Sequence, residues 1–326
     1  MTLSPLRHDW TRAEIAQMYH SPVLELIYQA ATVHRQYHEN GEVQICTLLS
    51  IKTGGCPEDC AYCSQSVRYQ TRVSVHKLLP VEEVLEKARQ ARRQGSTRFC
   101  MGAAWREVRD NRDFENVLEM VKGVTALGME VCCTLGMLTT SQAQRLKEAG
   151  LYAYNHNLDT GANYYDQVIT TRTYQDRLDT LTRVQEAGIS ACCGGIIGLG
   201  ESADDRIEML HTLATMPIHP ESVPVNALVP IEGTPLAEQS PVAVWEMVRM
   251  IATARITMPQ AMVRLSAGRL AMSVEQQALC FLAGANSIFA GDKLLTTPNP
   301  EKDQDAQMFQ VLSLKPRAAF KDKMPV

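Results

Sequence analysis

Residues 43–63 read VQICTLLSIKTGGCPEDCAYC. A run rich in Val, Ile, Leu and Thr ends at Thr53-Gly54-Gly55, and Cys56, Cys60 and Cys63 follow on the stretch behind it. β-branched residues bounded by glycine predict a strand, and the three cysteines then sit on the loop at its C-terminal end. Three thiolates in one loop can ligate three irons of a 4Fe-4S cluster and leave the fourth iron without a protein ligand, free to bind a substrate. A zinc knuckle is the competing reading, but structural zinc normally takes four ligands in paired spacing, and no second pair of that type follows.

Working outward, seven more β-rich runs are expected at Thr97 to Gly102, Glu130 to Leu135, Tyr152 to Leu158, Ser190 to Ile197, Ser222 to Leu228, Met262 to Ser266 and Ser287 to Ala290. Helical patterns separate them. Residues 80–94, PVEEVLEKARQARRQ, place Val81, Val84, Leu85 and Ala88 on one face with charges opposite. Gly128, Gly150 and Gly188 each follow such a pattern where a left-handed cap suits a residue without Cβ. Eight strands alternating with helices predict an α/β fold, a closed (βα)8 TIM-type barrel, whose active site lies at the C-terminal ends of the strands. Residues 1–40, helical over Ser21 to Tyr37, form an N-terminal extension outside the barrel. Residues 41–300 form the catalytic domain, and the polar tail, 301–326, is expected to be partly ordered at best.

With 326 residues, 45% hydrophobic and 21% charged, the chain can bury one large core. A formal net charge of -4 provides no basic field to draw nucleic acid or anionic membrane, so the partner is expected to be a small molecule. No apolar run approaches the roughly 20 residues of a membrane span, and MTLSPLRHDWTRAEIAQ lacks a signal-peptide core, so a cytoplasmic protein is expected. Ten cysteines in that compartment point to metal binding rather than disulfides.

Cys100, Cys132, Cys192 and Arg264 lie on four of the expected strands. If they point inward, three thiols and a guanidinium converge on a second metal site. Core packing is the commoner role of any one buried cysteine. A buried arginine is different, because without a counter-charge it is costly, and cluster sulfide would supply one. Period-two alternation turns Cys133 and Cys193 away from that interior. Cys46 and Cys280 are read as core packing.

The loop C-x3-C-x2-C after the first strand of a βα barrel resembles the radical S-adenosylmethionine superfamily. The runs TLLSIKTGGCPEDCAYCSQS, FCMGAAW, YNHNLDT, TTRTYQDRLDT, GGIIGLGE, ESVPVN, VRLSAGR and GANSIFAGDKLLTTPNP resemble, within it, the biotin synthase family from about Val43 to Asn299. The resemblance implies a 4Fe-4S cluster on Cys56, Cys60 and Cys63 and a 2Fe-2S cluster on Cys100, Cys132, Cys192 and Arg264. It implies S-adenosylmethionine contacts from Tyr62, Asn157, Asp159, Arg177 and Ile196, and dethiobiotin contacts from Asn157 and Asn226. Arg177 would meet the methionyl carboxylate. The expected reaction is sulfur insertion into dethiobiotin, served by a flavodoxin-type electron donor in a homodimer. Tyr62 could equally pack under the loop. Asn155 and Asn157 could be turn-formers and Asp159 a helix cap. The glycines at 194, 195, 198 and 200 lack the lysine of a phosphate loop and suggest close backbone approach to adenine.

Two other readings stand beside this one. Another radical enzyme would not need Cys100, Cys132, Cys192 and Arg264 together. An iron-sulfur electron carrier or zinc-stabilised binding module would not need a 36.2 kDa barrel.

Overall fold

A computed structural model describes residues 6–291 and 293–320. Two helices, α1 (Arg12–Tyr19) and α2 (Val23–Tyr37), precede β1 (Glu42–Lys52), α3 (Val81–Arg93) and β2 (Arg98–Ala103). Next come α4 (Arg112–Ala126), β3 (Glu130–Thr134), α5 (Thr140–Glu148), β4 (Ala153–Asn155), α6 (Tyr174–Glu186), β5 (Ser190–Cys192) and β6 (Gly195–Ile197). The barrel is completed by α7 (Ala203–Ala214), β7 (Ser222–Ala227), α8 (Val244–Thr257), β8 (Met262–Leu265), α9 (Val274–Leu282) and β9 (Ser287–Ala290). All pairings around it are parallel, and β1 closes the ring by bonding to both β2 and β9. This is the expected barrel.

The fifth strand position is divided. Cys192 pairs with Ser222, and pairing resumes only at Gly195 with Val225. Between them Gly194 faces Pro224, which has no N–H to donate, and a Cβ at Gly194 would stand 2.0 Å from the Pro224 carbonyl oxygen. A Cβ at Gly195 would strike Met209 and the Asp159 carbonyl. Crowding within the protein therefore already requires glycine at these two positions.

The sheet separates two layers of packing. Outside it, Val84, Ala88 and Ala91 of α3 and the apolar face of α4 cover Phe99, Met101, Val131 and Cys133. Cys193 and Cys280 also belong to this outer core. Capping boxes at Thr139, Thr173, Ser202 and Ser273 start α5, α6, α7 and α9, satisfying backbone donors that would otherwise be left without partners. Inside the barrel, Cys46, Cys100, Cys132 and Cys192 form one group with Tyr152 and Phe289.

The floor of the barrel is charged. Arg98 is fully buried and holds Glu130 at 2.8 Å and Glu221 at 2.7 Å. Glu130 also accepts bonds from Gln44 Nε2 and from the Phe320 backbone N–H. The tail is more ordered than expected over residues 301–320, and 321–326 lie outside the described residues. After the small hairpin of β10 (Lys293–Leu294) and β11 (Thr297–Pro298), it forms α10 (Lys302–Leu312) and β12 (Lys315–Pro316). One reason is the long β1, whose first residues overhang the barrel. Lys315 N–H bonds to Gly41 O and Arg317 N–H to Val43 O, while Met308, Phe309, Leu312 and Leu314 pack on the core and Asp305 pairs with the buried Arg269, so the segment is ordered by a free backbone edge and by tertiary packing together.

Among the described residues, no helix is long and apolar enough to cross a membrane.

Candidate active site

A cavity of about 320 Å³ opens at the C-terminal ends of the strands. Cys56, Cys60 and Cys63 line its rim, and Cys100, Cys132 and Arg264 line its floor. The loop is shaped locally: Gly54 and Gly55 adopt φ of 69° and 68°, a left-handed conformation that turns the chain out of β1. Cys56 N–H bonds to Gln65 O and Cys63 N–H to Cys60 O. Burial raises all three thiols, Cys60 to about 12 and Cys63 to about 11, so a metal would have to displace their protons.

The two acidic residues inside the motif latch this loop to the segment before α6. Asp59 accepts from the backbone N–H groups of Thr170 and Thr171 at 3.0 and 3.2 Å. Glu58, buried, pairs with Arg106 at 3.1 Å and Arg172 at 3.4 Å. The connection fixes the thiols relative to the arginines across the cavity.

All five expected S-adenosylmethionine contacts, Tyr62, Asn157, Asp159, Arg177 and Ile196, stand on the cavity wall, as does Asn226. Asp159 has φ 68° and caps no helix; its carboxylate takes a bond from the Tyr62 hydroxyl at 3.0 Å and an ion pair from Arg177. Arg177 also donates to Tyr165 OH at 2.8 Å and to the Asn157 carbonyl at 2.7 Å. Burial is the largest influence and opposes its charge, but Asp159 together with Tyr165, Tyr62 and Cys60 outweighs it and the guanidinium pKa is raised. Asn157 Oδ1 accepts from Asn155 and from Gly194 N–H, while Asn226 bridges Gly195 O and Ala267 N–H.

The interior group is continuous: Cys46, Cys100, Cys132 and Cys192 pack in one buried cluster, and Arg264 approaches the Cys192 sulfur at 3.6 Å. Cys133 and Cys193 lie on the other face, as alternation requires. Cys46 is buried in the core as expected, but on the inner face of the sheet, beside the three thiols. The neighbouring Cys132 and Cys46 thiols lower the Cys100 pKa, and Cys132 lowers that of Cys192. Arg264 is fully buried, stacks 4.7 Å from the Phe289 ring centre, and donates to Ser287 Oγ at 2.9 Å and Gln44 Oε1 at 3.2 Å. Burial works against its charge, but the thiolates outweigh it and its pKa is raised. No carboxylate among the described residues pairs with it.

Several wall residues were missed by sequence reasoning. Asn155 donates to the Cys192 sulfur at 3.3 Å. His156 Nε2 and Arg172 Nε are buried on the same wall and have no hydrogen-bond partner. Both lie within quoted runs, but loop residues carry no periodicity to show which of them face inward.

These observations test the fit of the implied groups. Three thiols from one loop on a shared cavity suit a cluster with one iron free, and the buried His156 Nε2, which has no hydrogen-bond partner, suits a polar ligand beside it. The guanidinium without a carboxylate suits an anionic sulfide cluster among the inner thiols. Among the described residues, no group of three or more His, Cys, Asp or Glu side chains is placed to hold a single metal ion. A cluster distributes its ligands over several irons.

Residues 50–213 match the model of the Radical SAM superfamily, and residues 224–315 that of the Biotin and Thiamin Synthesis associated domain. The chain is 69% identical over 320 residues to a biotin synthase of Cytophaga hutchinsonii, covering 98% of this chain and 95% of that one. It is 58% identical over 330 residues to a biotin synthase of Nostoc sp., covering 100% and 98%. A mitochondrial biotin synthase of Arabidopsis thaliana is 60% identical, covering 95% and 82%. Among solved structures, methylornithine synthase superposes with a TM-score of 0.79 at 18% identity, with 94% of each chain covered, which shows the fold alone.

Proposed function

The chain belongs to the biotin synthase family of radical S-adenosylmethionine enzymes, and from that premise we propose that it inserts sulfur between two unactivated carbons of dethiobiotin to close the ring of biotin. The observation that carries this reading is the meeting, in one barrel, of a three-thiol loop at the rim with three strand thiols and a carboxylate-free guanidinium on its inner face.

Cys56, Cys60 and Cys63 would hold a 4Fe-4S cluster, and Cys100, Cys132, Cys192 and Arg264 a 2Fe-2S cluster. Bound with S-adenosylmethionine, the first supplies an adenosyl radical able to abstract hydrogen from C–H bonds that acid-base chemistry cannot touch. The chain's own part is placement and shielding. Asp159, braced by Arg177 and Tyr62, presents carboxylate oxygen for a ribose hydroxyl. Asn157 and Asn226 present amides for cofactor and dethiobiotin. Ile196 offers apolar surface to the adenine. His156 offers an unpartnered nitrogen on the cavity wall beside Arg172, which is held by Glu58, and the barrel wall excludes water from the reacting carbon.

The 2Fe-2S cluster enters this reading as a substrate, because one of its sulfides becomes the sulfur of biotin. A flavodoxin-type one-electron donor and a homodimeric assembly belong to the same reading. So does a cytoplasmic location, supported by ten free thiols. Residues 41–300 are taken as the catalytic unit, with 1–40 and 301–326 as additions around it.

The test reconstitutes the protein with isotopically labelled sulfide and supplies dethiobiotin, S-adenosylmethionine and a reductant, without free sulfide. The label should appear in first-turnover biotin as the 2Fe-2S absorbance declines. Unlabelled biotin formed with that cluster intact would overturn the donor role.

A further inference from the structure

Five donor side chains, not four, gather on the inner face of the barrel. Cys46 belongs to the same buried group as Cys100, Cys132 and Cys192. It also shares both of its anchors with Arg264. Cys46 Sγ lies 3.5 Å from Gln44 Oε1 and 3.7 Å from Ser287 Oγ, and these same oxygens accept from Arg264 Nη2 and Nε at 3.2 and 2.9 Å. Thiol and guanidinium therefore occupy one corner of the site.

A 2Fe-2S cluster takes four protein ligands, so one of the five is surplus. Softness favours the thiolate, since sulfur ligands suit iron-sulfur centres better than a guanidinium that stays protonated. Position favours Arg264. Cys100 stands opposite Leu48 in the ladder, whereas Cys46 stands opposite Arg98, one pleat repeat closer to the floor. Arg264 lines the cavity with Cys100 and Cys132, and Cys46 is buried behind it with no solvent exposure.

We propose that Cys46 is a reserve ligand of the inner cluster, displaced from iron while Arg264 is present and able to take its place when the guanidinium is withdrawn. The inference rests on the reading that an iron-sulfur cluster is held here. It gives the site a second, all-thiolate ligand set. Both donors contact Gln44 and Ser287, so withdrawing the guanidinium opens the corner that Cys46 borders.

The test compares the anaerobically reconstituted full-length protein with R264M, C46S and the double variant. It reads iron and sulfide content, the visible spectrum and the electron paramagnetic resonance of the reduced inner cluster. The wild type and C46S should match. R264M should keep its inner cluster with a changed resonance, and adding C46S should lower the inner-cluster content about tenfold or more. Retention of the outer cluster and an unchanged far-UV spectrum certify the barrel in each variant, with C46A replacing C46S if serine disturbs packing. Loss of the inner cluster in R264M alone, or an identical cluster in R264M and the double variant, would overturn the proposal. So would loss of the cluster in C46S, which would make Cys46 a resident ligand. A wild type that binds only the outer cluster would overturn the underlying reading instead.

Discussion

Cys56, Cys60 and Cys63 fall within eight consecutive residues of one loop, whereas Cys46, Cys100, Cys132 and Cys192 arrive on four separate strands. The outer thiols are spaced by their own backbone and held by side-chain latches, Glu58 and Asp59 reaching Arg106, Arg172, Thr170 and Thr171. The inner thiols are spaced by the sheet, with Cys100 beside Cys132 in register and Asn155 beside Cys192. A loop site can therefore lose its ligand set without loss of the barrel. An inner site cannot be separated from the strands and the charged floor that build it.

The largest expected effect tests that independence. Cys60→Ser should reduce reductive cleavage of S-adenosylmethionine to background, measured as anaerobic 5′-deoxyadenosine formation, while the apoprotein melts at the wild-type temperature. Normal cleavage would show that this loop is not the radical-generating site.

Next is the floor beneath the inner thiols. Arg98→Met leaves Glu130 and Glu221 buried or half-buried without their cation, and denaturant unfolding should show a loss of about 3–5 kcal/mol. An unchanged midpoint would mean that the inner site does not depend on the charged floor.

Asn157 lies between the two regions. Its replacement by alanine removes an oxygen that organises Asn155 and Gly194 N–H, and both S-adenosylmethionine and dethiobiotin should bind about 1–3 kcal/mol more weakly. Equilibrium binding in which one ligand is unaffected would confine Asn157 to the other. The smallest effect belongs to the outer scaffold: Ser202→Ala removes the α7 cap and should cost about 1 kcal/mol of stability with cluster contents unchanged. A change in either cluster would show that the cap reaches the site.

The comparison also explains what could be read in advance. The barrel was legible because eight β-rich runs alternated with amphipathic helices, and Ser287 to Ala290 was located to the residue. The break between β5 and β6 was not, since it depends on Pro224 of a neighbouring strand facing Gly194. Alternation correctly sent Cys133 and Cys193 outward. The same rule groups Cys46 with Gln44 and Leu48, but only the register of β1 against β2 and β9 shows that this face meets Cys100 and Arg264. The tail up to residue 320 was illegible for a similar reason, because its order comes from the exposed edge of β1, the core surface under Met308 and the Arg269 partner of Asp305.

By itself, the sequence determined the alternation of strands and helices, the cysteine loop and the identity of every donor, because periodicity and short spacing act over a few residues. Tertiary structure decided which donors share a volume. It set Cys46 beside Arg264, left Arg264 without a carboxylate, and aimed His156 and Arg172 into the cavity. Those outcomes depend on strand register and loop packing between residues as much as 243 positions apart, as in the bond from Ser287 to Gln44, and no local pattern encodes a distance of that kind.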